Sequence, residues 1–430
     1  MRRQRQLDGV TQFLPPRLNR PKSSRTAGAR AFDFSALEPA ARRFESNAAT
    51  ILARQVAIAE IAAPTGQESA RARAVARWLG ASGRLTVRRD DAGNVLATVP
   101  SRVGRDDQAA PVVILAHLDT VFTETTLPAT HRDGPRVCLP GIGDNSRGVA
   151  ALLALGDALM TPDVAEQLMS PVELVATVGE EGAGNLRGAR QYFDDRERRG
   201  APRPLAVIAL DGPGDQLVVH QGISSHRLRI ALDGPGGHPW VDVGVPNAIH
   251  VCGAVIAALA QFSRAQRSGT TVHVTRMGGG ESLTAIPASA WFELDIRSAD
   301  PGRLPTLLDA VRRLVQRACV DESTSAVPVV ARVTTLGERP GGALDAQHPL
   351  VQLANAATEW QGHEARSACA STDANIPLSR GIPAITIGAG GTGGGAHTAH
   401  EWYDDTNSAR GLARALGVVV GAAGGWGLER

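Results

Sequence analysis

The sequence predicts an α/β protein in which a mostly parallel sheet flanked by helices is interrupted by an inserted α+β domain. Before residue 222 and after residue 335, short apolar runs alternate with helical patterns, as is typical of parallel sheets. Between these points the strands alternate apolar and polar residues, as expected for strands with one exposed face. The length of 430 residues also favours more than one core.

Four parts follow from this change of pattern: an N-terminal extension, a first α/β part, the insertion and a second α/β part, at residues 1–40, 41–221, 222–335 and 336–430. The extension is basic and rich in Pro and Ser, and it lacks the apolar h-region of a secretory signal. We therefore predict that residues 1–40 are disordered.

The first α/β part opens with two helical patterns, ESNAATILARQVAIAEIAAP and GQESARARAVARWLGASG. Strand-length apolar runs follow at NVLATVP, PVVILAH, VELVATVG and PLAVIAL. Three of these runs are continuously apolar, as in central strands covered on both faces. The segment NSRGVAALLALGDALM predicts a helix with Asn145 or Ser146 as its N-cap.

The insertion contains four half-exposed strand patterns, SHRLRIALDG, TVHVTRM, SAWFELDIRS and AVPVVARVTTL. Two helical patterns lie among them, PNAIHVCGAVIAALAQF and GRLPTLLDAVRRLVQRA. The helix–strand–helix order then resumes with HPLVQLANAATEWQG, IPAITIG and SARGLARALGVVVGAA.

Bulk charge argues against some classes of partner. The 45 basic and 43 acidic side chains nearly cancel, so we expect neither a nucleic-acid nor a membrane-surface partner recruited by net charge. No segment carries about 18 consecutive apolar residues. The four cysteines are far apart in the sequence and form no C-x-x-C pair, which favours a reduced, cytoplasmic protein.

Polar residues cluster where the apolar strands of the α/β parts end, and open α/β sheets place their sites at this edge. The run PVVILAHLDTV ends in His117 and Asp119, and GIGDNSRG places Asp144 just before a helix. Taken singly, H-x-D is more often a hydrogen-bonded pair without metal, and Asp144 is equally typical of an N-cap or turn residue.

The next two apolar strands end in the same way. VELVATVGEEG delivers the adjacent Glu180 and Glu181, and AVIALDGPG delivers Asp211. A surface location would explain any one of these acids, but several that converge on one sheet edge need cations to stay ionised. The later segment GGGAHTAHEWYD offers His397 or His400 to complete such a cluster.

The series H-L-D-T, G-D-N, G-E-E-G, D-G and A-H-T-x-x-E resembles the dinuclear zinc metallopeptidase family over about residues 45–425. This family includes peptidase T, glutamate carboxypeptidase, aminoacylase, acetylornithine deacetylase and succinyl-diaminopimelate desuccinylase. The context of ATVGEEG and ALDG is most similar to the peptidase T side. The resemblance implies a zinc-exopeptidase-like catalytic domain with an inserted lid and dimerisation domain.

The resemblance also implies a role for each strand-end residue. One zinc ion would be held by His117, Asp144 and Asp211. The other would be held by Asp144, Glu181 and His397, so that Asp144 bridges; His397 is preferred to His400 because Glu401 follows it by four residues. Asp119 would lie behind His117 and orient its imidazole. Glu180 would act as general base for a water held between the metals. The peptide bond after Asp144 is expected to be cis, and cobalt or manganese are plausible substitutes for zinc.

Two residues of the insertion match the family less closely. His238 in GPGGHPW stands where a lid histidine reaches the partner's active site, although Pro239 replaces a small residue. Arg297 could bind a substrate carboxylate, but an ion pair with Asp295 or Asp300 explains it equally well. Thr284 departs from the asparagine that many members carry.

We therefore predict a cytoplasmic, zinc-dependent homodimer that cleaves an amide bond in small peptides as a tripeptide aminopeptidase does. The alternative is a deacylase or carboxypeptidase of N-acyl amino acids, which uses the same catalytic groups. Remote alternatives are a metal-free, non-catalytic homologue and a dinucleotide-binding protein. The latter rests on G-x-G-x-x-G in PAITIGAGGTGGG, where no helix is expected to follow the glycines.

Overall fold

The computed structural model describes residues 32–102, 109–266, 269–322 and 328–427. The predicted fold class is confirmed, since helices cover a large mixed sheet whose central strands are parallel. Its helices are, in chain order, α1 (Glu38–Ser46), α2 (Ala48–Ala59), α3 (Ser69–Gly80), α4 (Ser146–Leu159), α5 (Pro162–Ala165), α6 (Arg187–Arg198), α7 (Ala248–Arg264), α8 (Leu304–Glu322), α9 (Pro349–Trp360), α10 (Asn375–Ser379) and α11 (Ser408–Ala423).

The strands belong to three sheets of the described residues. In chain order they are β1 (Val87–Arg89), β2 (Val95–Val99), β3 (Val112–His117), β4 (His131–Asp133), β5 (Arg136–Cys138), β6 (Val172–Thr177), β7 (Ala206–Leu210), β8 (Leu217–Gly222), β9 (Ser224–Asp233), β10 (Thr270–Gly279), β11 (Ser289–Ser298), β12 (Val330–Arg339), β13 (Gly342–Ala343), β14 (Arg366–Ala370), β15 (Ala384–Ile387), β16 (Thr392–Gly394) and β17 (Trp402–Asp404).

The main sheet has the strand order β1-β2-β6-β3-β7-β15-β8-β13, and β14 pairs with β8. The four central strands β6, β3, β7 and β15 run parallel, whereas β1, β2, β8 and β13 pair antiparallel at the edges. Every residue of β3 and β7 is buried, which explains why both sequences are continuously apolar. The four central strands therefore end at one edge of the sheet.

The second sheet lies between β8 and β13 in the sequence and has the antiparallel order β10-β11-β9-β12. Helices α7 and α8 cover one face, where they share a hydrophobic cluster with the buried side chains of β9 and β11. These are the four strands and two helices expected for the insertion. Strand β12 runs to Arg339, beyond the predicted boundary at residue 335; the division into domains itself stays a prediction.

A small sheet of order β16-β17-β5-β4 was not predicted, because its strands have only three residues each. Its β5–β17 pairing places Trp402 opposite Cys138. This pairing brings the segment after β5, which contains Asp144, next to the segment that follows His397. The small sheet thereby joins two parts of the chain that carry candidate ligands.

The N-terminal prediction differs from the structure over its last residues. Residues 1–31 lie outside the described part, but residues 35–37 form a 3-10 turn and α1 begins at Glu38. Phe34 and Leu37 are buried in the main core, and Phe34 stacks on Trp360 with ring centroids 5.0 Å apart. Burial of these apolar side chains therefore orders residues 35–40, which the polar, Pro-rich composition of the segment predicts to be disordered.

Among the described helices, none combines the length and the apolar character needed to cross a lipid bilayer. The glycine-rich segment after β15 leads into β16 and opens no helix, so it lacks the strand–turn–helix context of a dinucleotide fingerprint.

Candidate metal centre

The candidate site lies where the four central strands of the main sheet end. His117 is the last residue of β3, Glu180 and Glu181 follow β6, and Asp211 follows β7. His397 comes from the segment between β16 and β17, and Asp144 precedes α4. The structure therefore brings all the predicted metal-site residues to one edge, as parallel strand ends require.

The first group consists of His117, Asp144 and Asp211, each of which offers a ligand atom within 4.8 Å of the others. His117 Nε2 lies 3.1 Å from Asp144 Oδ1 and 3.7 Å from Asp211 Oδ1. The imidazole is buried, while the two carboxylates are partly exposed. This group can hold a cation through one nitrogen and two oxygens.

The second group consists of Asp144, Glu181 and His397. His397 Nε2 lies 3.0 Å from Asp144 Oδ2 and 3.0 Å from Glu181 Oε1. Asp144 thus directs one carboxylate oxygen to each group. The side chain of His397 is 53% exposed, so the edge opens to solvent on this side.

The Asp144–Asn145 peptide bond is cis, as predicted. Two sets of hydrogen bonds hold the loop that carries Asp144. Asn145 caps α4 by accepting from Gly148 N, and its Nδ2 donates to Leu210 O. The Glu401 carboxylate accepts the backbone N–H groups of residues 141, 143 and 144 at 2.6, 2.8 and 2.8 Å. Glu401 therefore has a positioning contact that the sequence motif alone did not reveal.

Asp119 holds the two adjacent glutamates from behind. Its Oδ1 accepts Glu180 N at 2.9 Å, and its Oδ2 accepts Glu181 N at 3.0 Å. Thr65 Oγ1 also donates to Oδ2 at 2.8 Å, and His117 Nδ1 lies 3.7 Å from Oδ1. Asp119 is fully buried. It therefore orients the backbone of both glutamates as well as facing the imidazole.

The pKa values show how strongly this edge requires positive charge. Burial opposes ionisation of Asp119 and Asp144, but hydrogen bonds to the histidines outweigh it, so the pKa of Asp119 falls to about 2 and that of Asp144 is also lowered. Contacts with Asp144 and Glu181 raise the pKa of His397 to about 10. For His117, burial is outweighed by its three aspartate neighbours, which raise its pKa well above the ordinary value.

The chemistry of the donors fits divalent metal ions. Asp144 Oδ1 is buried, and in the described structure its near polar neighbour is the His117 imidazole at 3.1 Å, without a well-formed hydrogen bond, as expected of an oxygen that binds a cation. Imidazole nitrogens and carboxylate oxygens are ligands that zinc accepts. Bound cations would supply the positive charge that otherwise has to come from protonated histidines.

Glu180 differs from its neighbour in its contacts. Its ligand atom lies within 4.8 Å of those of His117 and Glu181, yet its Oε1 also accepts a hydrogen bond from Arg339 Nη1 at 3.0 Å. Burial raises the pKa of Glu180 well above its ordinary value, although the charges of Arg339 and His117 oppose the shift. Sequence reasoning missed Arg339, which stands 159 residues away.

The described polar contacts of His238 and Arg297 are with neighbouring residues of the second sheet and its loops. His238 is exposed, and its Nδ1 accepts the backbone N–H of Trp240 and Val241 at 3.2 and 3.3 Å. Arg297 forms a two-point ion pair with Asp295, the shortest distance being 2.9 Å. Thr284 lies on an exposed loop. The structure thus contains the ion pair with Asp295 that was one of the two explanations for Arg297, the other being contact with a substrate carboxylate.

Comparison with known families settles what this arrangement belongs to. The profile of peptidase family M20/M25/M40 matches residues 113–420. The chain belongs to this family. The family resemblance found in the strand-end motifs is thereby confirmed, and the match includes every residue of the two groups and the second sheet.

Individual relatives are more distant. A probable carboxypeptidase of Aspergillus terreus is 28% identical over 229 residues, which are 49% of this chain and 50% of that protein. The chain thus spans about half the length of the curated relatives it matches.

Solved structures with low sequence identity share the fold. A tripeptidase from Staphylococcus aureus has a TM-score of 0.74 at 20% identity and covers 88% of this chain and 99% of its own. The aminopeptidase PepT of Bacillus cereus has a TM-score of 0.69 at 19% identity, covering 86% and 99%. A dinuclear metal binding peptidase of the M20 family from Bacillus subtilis has a TM-score of 0.65 at 17% identity, covering 87% and 98%.

We predict that Glu401→Gln weakens zinc binding about 10- to 100-fold, the usual effect of losing a partner that orients a metal ligand. A neutral amide offers one acceptor oxygen to three N–H groups, so the loop that carries Asp144 loses its anchor. Titration with zinc against a chelating indicator measures the effect. Glu359→Gln, at an exposed position of α9, is the control, and equal affinity for both variants contradicts the prediction.

Proposed function

We propose that the protein is a two-metal hydrolase that cleaves an amide bond of small peptides as a tripeptide aminopeptidase does. The observation that carries this proposal is the position of Asp144, which lies 3.1 Å from the imidazole of His117 and 3.0 Å from that of His397. A shared carboxylate between two N/O ligand groups is what a dinuclear site needs. Glu180 lies beside His117 and Glu181 but belongs to neither of the two ligand groups.

In this proposal His117, Asp144 and Asp211 hold one ion, while Asp144, Glu181 and His397 hold the other. Zinc is the proposed metal, with cobalt or manganese as substitutes, because the donors are imidazoles and carboxylates. When bound, two divalent cations lower the pKa of water and polarise the scissile carbonyl group.

Glu180 is the proposed general base. It accepts a proton from the attacking water and donates it to the leaving amine. Burial raises the pKa of Glu180 above its ordinary value, which makes the carboxylate a stronger proton acceptor. The hydrogen bond from Glu180 N to Asp119 fixes the backbone at this point, so the side chain starts from a defined position.

The comparisons support two substrate classes. The tripeptidase and the aminopeptidase PepT, with TM-scores of 0.74 and 0.69, favour short peptides. The probable carboxypeptidases among the sequence relatives, at 28% and 24% identity, favour recognition of a free carboxylate. We prefer the aminopeptidase, and a carboxypeptidase or deacylase of N-acyl amino acids remains the second candidate.

The proposal includes a cytoplasmic homodimer that associates through the second sheet. Exposed apolar side chains near His238 support association, since Trp240, Val241, Val243 and Leu283 are 85%, 74%, 79% and 102% exposed. Apolar groups exposed to this degree are typical of contact surfaces. In such a dimer His238 and Arg297 would contact the substrate, His238 from the partner subunit.

Glu180→Gln is predicted to lower kcat about 100- to 10,000-fold, because the amide cannot accept the proton. This range is the usual contribution of a general base. The variant keeps the shape of the side chain, so its metal content by elemental analysis should equal that of the wild type. Glu166→Gln, at an exposed position near α5, is the control. Near-normal kcat in Glu180→Gln contradicts the role of base, and absence of stoichiometric metal in the wild type contradicts the two-metal proposal.

A substrate panel separates the two candidate functions. We expect hydrolysis of tripeptides, with slower or no hydrolysis of N-acetyl, N-succinyl and N-carbamoyl amino acids, in the presence of zinc, cobalt or manganese. Liquid chromatography of the products identifies which end of the peptide is released. Turnover of the N-acyl compounds alone would replace the aminopeptidase by the second candidate.

The quaternary proposal predicts a dimer in sedimentation velocity experiments. Trp240→Ser should shift the protein towards the monomer, because it removes the largest exposed apolar group of that loop. Leu217→Ser, at an exposed position of β8 in the main sheet, is the matched control. A wild-type protein that is monomeric and fully active contradicts a catalytic role for His238 from the partner.

A further inference from the structure

Arg339 is the last residue of β12, and its side chain crosses from the second sheet to the proposed base. It is only 5% exposed. Its Nη1 donates to Glu180 Oε1 at 3.0 Å and to Ser371 Oγ at 3.1 Å, and its Nη2 donates to the backbone oxygen of Glu180. One guanidinium group therefore contacts both the carboxylate and the main chain of Glu180.

The surroundings of Glu180 make this contact more than an incidental ion pair. Glu180 is 4% exposed and its other charged neighbours include the acidic Glu181 and Asp373. Among the described residues, Arg339 forms the ion pair of this carboxylate. A buried carboxylate beside other acids needs such a partner to hold one orientation.

Three contacts together fix Glu180. Asp119 accepts its N–H at 2.9 Å, while Arg339 donates to its carbonyl and carboxylate oxygens. The planar fork of arginine can make the last two contacts at once, whereas the ammonium group of lysine is a single point of charge. The carboxylate of Glu180 thus has little freedom to turn away from the neighbouring ligands.

We propose that Arg339 is a positioning residue that holds the carboxylate of Glu180 in the orientation required for proton transfer. This inference rests on the proposed function of Glu180 as base. It also connects the second sheet to the proposed base, because Arg339 belongs to β12.

Other contacts at the same junction support that link. Arg227 of β9 donates from Nη1 to Gly182 O at 2.6 Å, and Arg190 of α6 donates to Glu338 O. The chain that follows β6 is therefore attached to the second sheet by two further contacts close to Arg339. A change in the placement of β12 would be transmitted to Glu180 through these groups.

The test compares Arg339→Met and Arg339→Lys with wild-type enzyme. Arg339→Met is expected to lower kcat about 100-fold, the size of effect produced by misplacing a catalytic group by about 1 Å. KM should change less than about threefold and zinc content should stay close to that of the wild type, whereas Tm falls because a buried carboxylate loses its partner. Arg339→Lys should recover part of kcat. Arg332→Met, an exposed position on the same strand whose side chain is 72% exposed, should behave as wild type.

A double-mutant cycle with Glu180→Asp tests whether Arg339 acts through Glu180. In that background the loss of kcat from Arg339→Met should be much smaller than in the wild type, because the shorter carboxylate has already left the contact. Independent, multiplicative losses overturn the proposal, as does unchanged kcat in Arg339→Met. If Arg339→Met does not fold, Ser371→Ala replaces it in the cycle, since it removes the second oxygen that holds Nη1.

The outcomes also separate this inference from the proposed function. Full activity in Arg339→Met together with inactivity in Glu180→Gln overturns only the role of Arg339. Full activity in Glu180→Gln overturns the base and the positioning role together. Parallel loss of zinc and kcat in both Arg339 variants, measured well below their Tm, indicates a structural residue and overturns positioning.

Discussion

Asp144 directs one carboxylate oxygen to each of two imidazoles, and much of the surrounding structure serves to keep it there. The Glu401 carboxylate accepts hydrogen bonds from three backbone N–H groups, the last of which is that of Asp144. The side chain of Asn145 donates to Leu210 O at the end of β7. The small sheet in turn keeps Glu401 beside that loop through the β5–β17 pairing. Because the two ligand groups share Asp144, a shift of this one loop would disturb both at the same time.

Adjacent glutamates at the end of a buried strand are stable here because their surroundings differ. Glu181 faces His397 at 3.0 Å, whereas Glu180 faces Arg339 at 3.0 Å. Asp119 takes the backbone N–H of both residues and fixes the turn between them. Each carboxylate therefore has its own nitrogen-bearing neighbour, so the two acids lie in different electrostatic surroundings.

The strand-end residues could be predicted because continuous apolar runs mark where each buried strand ends, and parallel strands end at one edge. His117, Glu181 and Asp211 follow such runs directly. Arg339 could not be predicted, since its partner Glu180 stands 159 residues away and no periodic pattern links them. The contacts of Glu401 span 257 to 260 residues and depend on three-residue strands too short to leave a pattern. The order of residues 35–40 could not be predicted either. It depends on burial of apolar groups such as the neighbouring Phe34, whose partner Trp360 is remote in sequence.

The position of β15 in the main sheet has a consequence for the order of assembly. Strand β15 pairs with β7 and β8, although it is made long after both. The second sheet, in contrast, draws all its strands from residues 224–339 and has its own hydrophobic cluster. During synthesis the second sheet can therefore be complete while the main sheet still lacks β13, β14 and β15. A nascent chain that has not yet released His397 from the ribosome holds only one of the two ligand groups, so the hydrolytic centre cannot form ahead of the finished fold.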